Sequence, residues 1–334
     1  MGRRPRTGQA RRVSVRSLWW AARTGGAPPF DTAHLKVYYP ARPQGTDAER
    51  LTGVMPPDRS GAPYPVVLFC SGVNVAQEGY RAFATALASA GHAVVTFDRV
   101  GDLYGGQVGI TPGVDVEAAG PEVYGSRPTC PALGAVLESL ADIETLKGAI
   151  DLGRVALGGH SAGGTVALQS ARFLPGVRAC FAYGTHTMVA TMLGWPAGTV
   201  LPAQVDGPVL LGVGTRDGVI AGSSDRYGPD TAADPVARTF HEALSGPDDL
   251  LAVLPGANHF TIADAPDPTA ARAFLDLPAA CDEAAARRAY TDLVIAFLRA
   301  HLRGEDLVPD ADPELIHLQR RRVHREGASH GAPA

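Results

Sequence analysis

Apolar residues fall along this chain in two rhythms. One is the short continuous run: Pro65-Val66-Val67-Leu68-Phe69-Cys70, His92-Ala93-Val94-Val95-Thr96-Phe97, Val155-Ala156-Leu157, Pro208-Val209-Leu210-Leu211-Gly212-Val213-Gly214 and Leu250-Leu251-Ala252-Val253-Leu254. Runs that do not alternate with polar residues predict strands buried on both faces of a parallel sheet. Residues 179–183 read the same way, and Leu35-Lys36-Val37-Tyr38-Tyr39, ending at Pro40, predicts an earlier strand. The other rhythm is helical. Apolar positions recur at helix spacing over 80–90, 133–150, 235–244 and 283–302, and Gly91 supplies a natural stop for the first of these. Strands alternating with helices predict an α/β fold, a mostly parallel central sheet with helices on both faces. Residues 99–131 break both rhythms and carry seven glycines between Gly101 and Gly125, which predicts a long loop, either functional or disordered.

Composition narrows the reading. A chain of 334 residues, 45% hydrophobic and 19% charged, can bury a large core. Its formal net charge of −4 gives no reason to expect nucleic acid or an anionic membrane as a partner. The four cysteines (Cys70, Cys130, Cys180 and Cys281) lack metal or C-x-x-C spacing, and no disulfide is predicted. No apolar run approaches the length of a membrane span. Residues 1–26 carry seven arginines and no acid. Arg11-Arg12 opens no proper export signal, because Arg16 interrupts the apolar stretch that follows. The expectation is a basic, flexible tail over 1–28, one domain over 29–304, a polar extension over 305–334, and a cytoplasmic location. Oligomeric state is left open.

Chemistry concentrates in Gly158-Gly159-His160-Ser161-Ala162-Gly163-Gly164, between a strand and an apolar helix start. Gly159 to Gly163 fits G-x-S-x-G, where a sharp turn lifts a serine hydroxyl above the sheet edge. A serine hydroxyl is a weak nucleophile and needs a base, which in turn needs an orienting acid. Asp217, in Gly214-Thr215-Arg216-Asp217, and His259, in Gly256-Ala257-Asn258-His259-Phe260, each follow a strand. All three can therefore converge on the carboxyl edge of the sheet, where ligands bind in such folds. Asp98 competes for the acid role but precedes the serine turn. His160 is read as packing beneath that turn.

A developing oxyanion needs two aimed N–H donors. Ala162 follows the serine and should supply one. Val73, in the Ser71-Gly72-Val73-Asn74 turn, is the candidate for the other, with Asn74 as a substitute. Gly72, Asn74, His186, Met188 and Trp195 are expected around the substrate. No H-E-x-x-H, calcium loop or Walker lysine occurs, so no metal or cofactor is expected.

These motifs together resemble the α/β-hydrolase superfamily over residues 33–302, and within it the dienelactone-hydrolase-like group, near chlorophyllase-, platelet-activating-factor-acetylhydrolase- and polyester-hydrolase-type enzymes. The buried 65–70 strand, Tyr80 in the next helix and the Gly-His-Ser turn carry the likeness. The resemblance implies the α/β-hydrolase fold and a cofactor-free esterase, lipase or acyl-transfer activity on a small-molecule ester. Two departures stand out. Ser71-Gly72 replaces the histidine-glycine of many relatives, and Ser161 stands where dienelactone hydrolases themselves carry cysteine. The leading expectation is a serine carboxylesterase working through an acyl-enzyme. Transfer to another acceptor, lactone or amide opening, and a non-catalytic binding protein on the same fold are the alternatives.

Overall fold

Tyr64, Val66, Leu68 and Cys70 pack into the apolar cluster on one face of their strand, and Val67 and Phe69 into the cluster on the other. That division recurs across the sheet and explains the continuous apolar runs: both faces are covered. In the computed structural model, which describes residues 14–223, 234–264, 267–307 and 312–321, the strands are β1 (Ser14–Arg23), β2 (Thr32–Ala41), β3 (Tyr64–Cys70), β4 (Ala93–Asp102), β5 (Val108–Ile110), β6 (Ile150–His160), β7 (Val177–Tyr183), β8 (Val209–Gly214), β9 (Leu250–Leu254) and β10 (His317–Arg320). The helices are α1 (Asp47–Thr52), α2 (Arg81–Ser89), α3 (Ala132–Ser139), α4 (Ala162–Leu168), α5 (Gly218–Ala221), α6 (Pro235–Arg238) and α7 (Glu283–Arg303).

The sheet order is β1-β2-β4-β3-β6-β7-β8-β9-β10, with β5 paired to β4. From β4 through β9 the neighbours run parallel, while β1, β2 and β10 join antiparallel at the edges. Residues of α3, α4 and α6 enter one core cluster, and residues of α2 and α7 the other. This is the α/β-hydrolase fold expected from the sequence. After β3 the chain crosses outward to β4, then returns past β3 to β6. The turns leaving β3 and β6 therefore flank a switch in strand order, where a crevice opens in such sheets. Among the described residues, no helix is long and apolar enough to cross a membrane.

Three expectations need correction. Ser14–Arg23 is a ten-residue edge strand in register with Thr32–Ala41, not part of a loose tail. Leu18 and Ala22 are buried while the exposed positions between them carry Trp19 and Ala21, the period of a strand with one face packed. Arg3, Arg4, Arg6, Arg11 and Arg12 lie outside the described residues. The 133–150 helix ends at Ser139 and is followed by two tight turns, Leu140–Asp142 and Glu144–Leu146. Leu140, Ile143 and Leu146 are still all buried, because a spacing of three suits the tighter helical turn better than the α-helix. In the polar C-terminal extension, His317–Arg320 adds a strand to β9, and the Arg321 guanidinium caps the Phe240 carbonyl at 3.0 Å.

Candidate active site

Ser161 sits between β6 and α4 with φ 54 and ψ −127, a conformation that costs a non-glycine residue and persists only where its surroundings enforce it. The surroundings are backbone. A side chain at Gly163 would run into the carbonyls of Cys70 and Ser71, and one at Gly159 into the Gly163 and Gly164 main chain. The Ser161 N–H donates to the Tyr183 carbonyl at 3.0 Å, and the Thr185 hydroxyl donates to the Ser161 carbonyl at 2.8 Å. The turn is thus clamped from β7 while α4 lies close against β3.

Asp217 caps α5. One carboxylate oxygen accepts the Ile220 N–H at 2.9 Å, and the other lies 2.8 Å from Nδ1 of His259. Both side chains are almost fully buried. Gly184 passes directly over the pair: a Cβ there would stand 2.8 Å from His259 Nδ1 and 3.0 Å from Asp217 Oδ2. Sequence reading missed Asp276. Its Oδ1 accepts the Gly218 N–H at 3.0 Å and the His259 N–H at 3.3 Å, tying the start of α5 to the histidine loop. Asp98 has a different task, accepting the Gln77 N–H at 2.8 Å.

His160 is fully buried beneath the turn and joins two loops. Nε2 lies 2.9 Å from the His259 carbonyl, which can only accept, so the proton is on Nε2. Nδ1 then accepts from the Tyr80 hydroxyl at 2.8 Å, whose oxygen receives the Gly72 N–H at 3.2 Å. The neutral ring fits this chain, and burial first, then the neighbouring His259, holds its pKa well below the ordinary histidine value.

Burial also pushes His186, beside the site, and His92, in the core, down to about 4. In the unfolded chain these rings regain a pKa near 6.5 (about the free value). Stability is therefore fully present above that pH and is lost as pH falls, because only the unfolded chain takes up the protons. Each ring contributes about 1.4 kcal/mol per pH unit in that window. Asp249, raised by burial to about 6, acts in the opposite sense and returns part of the loss. The denaturant midpoint should thus drop clearly between pH of about 7 and about 5; a flat profile would contradict the neutral rings.

Two cavities flank Ser161. One, of about 510 Å³, is lined by Gly72, Val73, Asn74, Ser161, Ala162 and His259 among others. The second, of about 380 Å³, shares Val73, Ser161 and Ala162 and continues past His186 and Met188. Among the described residues, neither the Val73 nor the Ala162 N–H has a backbone partner, and both belong to the walls beside the serine. Asn74 cannot substitute for Val73. Its N–H donates to the Ile110 carbonyl at 2.8 Å and its side-chain oxygen accepts the Ile110 N–H at 3.0 Å, pinning β5 over the turn. Trp195 does not line either cavity: its indole N–H donates to the Ala119 carbonyl at 2.9 Å and its ring packs edge-on against Tyr124. It braces a wall from behind. No cluster of metal-ligating side chains occurs among the described residues.

Comparison with known proteins agrees with this architecture. A family model for the dienelactone hydrolase family matches residues 52–302. Among solved structures, a ferulic acid esterase from Streptomyces cinnamoneus shares the fold with a TM-score of 0.61 at 19% identity, covering 94% of this chain and 98% of its own. No curated protein matches the chain.

Proposed function

The chain belongs to the dienelactone hydrolase family and is a carboxylic ester hydrolase; from that premise we propose that it works as a serine esterase through an acyl-enzyme, with Ser161, His259 and Asp217 as its triad. The observation that carries the proposal is the buried Asp217–His259 pair at 2.8 Å, whose imidazole opens onto the cavity that also holds Ser161.

The acid fixes the imidazole with its proton on Nδ1, which leaves Nε2 basic. As Ser161 Oγ attacks the acyl carbon, Nε2 takes the hydroxyl proton. Negative charge gathers on the former carbonyl oxygen, where the Val73 and Ala162 N–H groups receive it. One such donor is worth about 10²–10³ in rate in well-studied cases. Collapse expels the alcohol, protonated by His259. Water then enters, gives a proton to the same nitrogen, and attacks the acyl-enzyme, releasing the acid and restoring Ser161. Tyr80, His160 and Gly72 support the geometry: a single hydrogen-bond chain links the oxyanion turn to the histidine loop.

Exposure to a small fluorophosphonate, followed by intact-mass measurement and peptide mapping, tests the reading. One adduct on Ser161 is expected. A folded protein that remains unmodified would remove the activated serine and favour a binding role for the cavity.

A further inference from the structure

The two cavities beside Ser161 are chemically unequal. His259 lines only the first. In the proposed reaction the leaving oxygen must lie within reach of that imidazole, so the alcohol half belongs in the first cavity and the acyl half in the second. The second cavity is walled by Val114, Val166, Met188, Leu193 and Ile220. Arg272 stands at the junction of the two, with its guanidinium donating to Ser223 at 2.8 Å.

One face of α4 forms a wall of this acyl chamber. Ser161, Thr165 and Gln169 follow one another at intervals of four, the spacing of a single helix face. The Thr165 hydroxyl is spent on the His186 carbonyl at 3.0 Å, and that of Thr185 on the Ser161 carbonyl at 2.8 Å. Gln169 differs. It is only 5% exposed, lines the chamber, and its side-chain amide makes no hydrogen bond among the described residues. Its amide atoms are not among the fully enclosed unpartnered atoms of the described residues, so they stay open to the chamber. A ligand that fills the chamber must replace their water with a hydrogen bond or leave them unsatisfied, at about 1–3 kcal/mol. Its Cα lies about 12 Å beyond that of Ser161 along the helix, and a helical side chain leans back toward the N-terminal end.

We infer that Gln169 is a specificity residue, and that the acyl chamber takes an apolar chain of medium length bearing a neutral hydrogen-bonding group, a hydroxyl or carbonyl, near its far end. The assignment of this chamber to the acyl half rests on the serine-esterase reading. A carboxylate at the far end of the tail does not suit it: the Arg272 guanidinium stands at the junction with the first cavity, among the residues the two cavities share, whereas Gln169 offers a neutral amide and burial keeps the neighbouring His186 uncharged. A purely apolar tail would leave the amide unsatisfied.

The test separates binding from turnover. Ser161→Ala protein is titrated calorimetrically with methyl ω-hydroxyalkanoates and with the isosteric alkanoates in which a methyl replaces the hydroxyl, from butanoate to nonanoate. At one chain length the hydroxy ester should bind roughly 3–10-fold more tightly than its isostere, the worth of one hydrogen bond. In Ser161→Ala/Gln169→Leu, which keeps the volume but not the amide, the order should reverse. No preference at any length with Gln169 in place overturns the inference without recourse to the second variant, and so does a preference that survives Gln169→Leu. With wild-type enzyme, a Gln169-dependent preference for hydroxyalkyl acetates in place of hydroxyacyl esters would overturn the assignment of the chamber. Failure of the serine-esterase reading shows separately, as a wild-type Ser161 that fluorophosphonate does not label while the binding comparison still reads the chamber.

Discussion

Ser161→Ala is expected to fold as the wild type does and to lose ester turnover by about 10³-fold or more. Triad serines elsewhere set the scale, with residual catalysis from the oxyanion donors and binding alone. The structure explains why the fold should survive. The turn is held by the Ser161 main chain, through Tyr183 and Thr185, and by the absence of side chains at Gly159 and Gly163. Alanine keeps the Cβ at the same positive φ and loses only the hydroxyl. Thermal melting and kcat/KM on a chromogenic ester, measured on the same preparation, give both halves of the result. Near-native turnover in protein free of contaminating esterase would take the nucleophile away from Ser161.

The α/β architecture is readable because its central strands are buried on both faces, so composition alone marks them; β3, with Val66 and Leu68 packed on one side and Val67 and Phe69 on the other, is the clearest case. The edge strand β1 escaped because arginines punctuate it, and an edge strand carries charge at no cost on its open side. The candidate triad residues were legible for a topological reason: each stands just beyond the end of a parallel strand, and parallel strands deliver their ends to one edge. What supports them was not legible. Asp276 lies 17 residues beyond His259, and Tyr80 meets His160 across 80 residues of chain. Only the folded backbone sets those contacts. Asn74 and Trp195 show the same limit from the other side. Asn74 does line the first cavity, yet its N–H and side-chain oxygen are spent on Ile110, and Trp195 lines neither cavity and is committed to Ala119. Sequence position shows which loop carries a residue, but not whether its polar atoms are already spent.

Asp217→Asn should cost about 10³–10⁴ in kcat with little change in fold, by analogy with the loss when a triad acid becomes an amide. The cause lies in how the two carboxylate oxygens are used. One caps α5 by accepting the Ile220 N–H, and the other receives the Nδ1–H of His259. Asparagine has a single acceptor oxygen. If that oxygen keeps the cap, which costs about 1 kcal/mol to lose, the amide NH₂ faces His259. Nδ1 must then become the acceptor, so the ring proton moves to Nε2, the nitrogen that has to take the serine proton. The imidazole stays in place as the wrong tautomer. Burial of the pair leaves no water to rescue it, and Gly184, packed against both side chains, blocks a shift of the ring. Two measurements together separate this account from simple unfolding. The melting temperature should move by only a few degrees, and fluorophosphonate labelling of Ser161 should slow in proportion to kcat. If labelling stays at the wild-type rate while ester hydrolysis falls, Asp217 acts on a later step, and the orienting role assigned to it here is wrong.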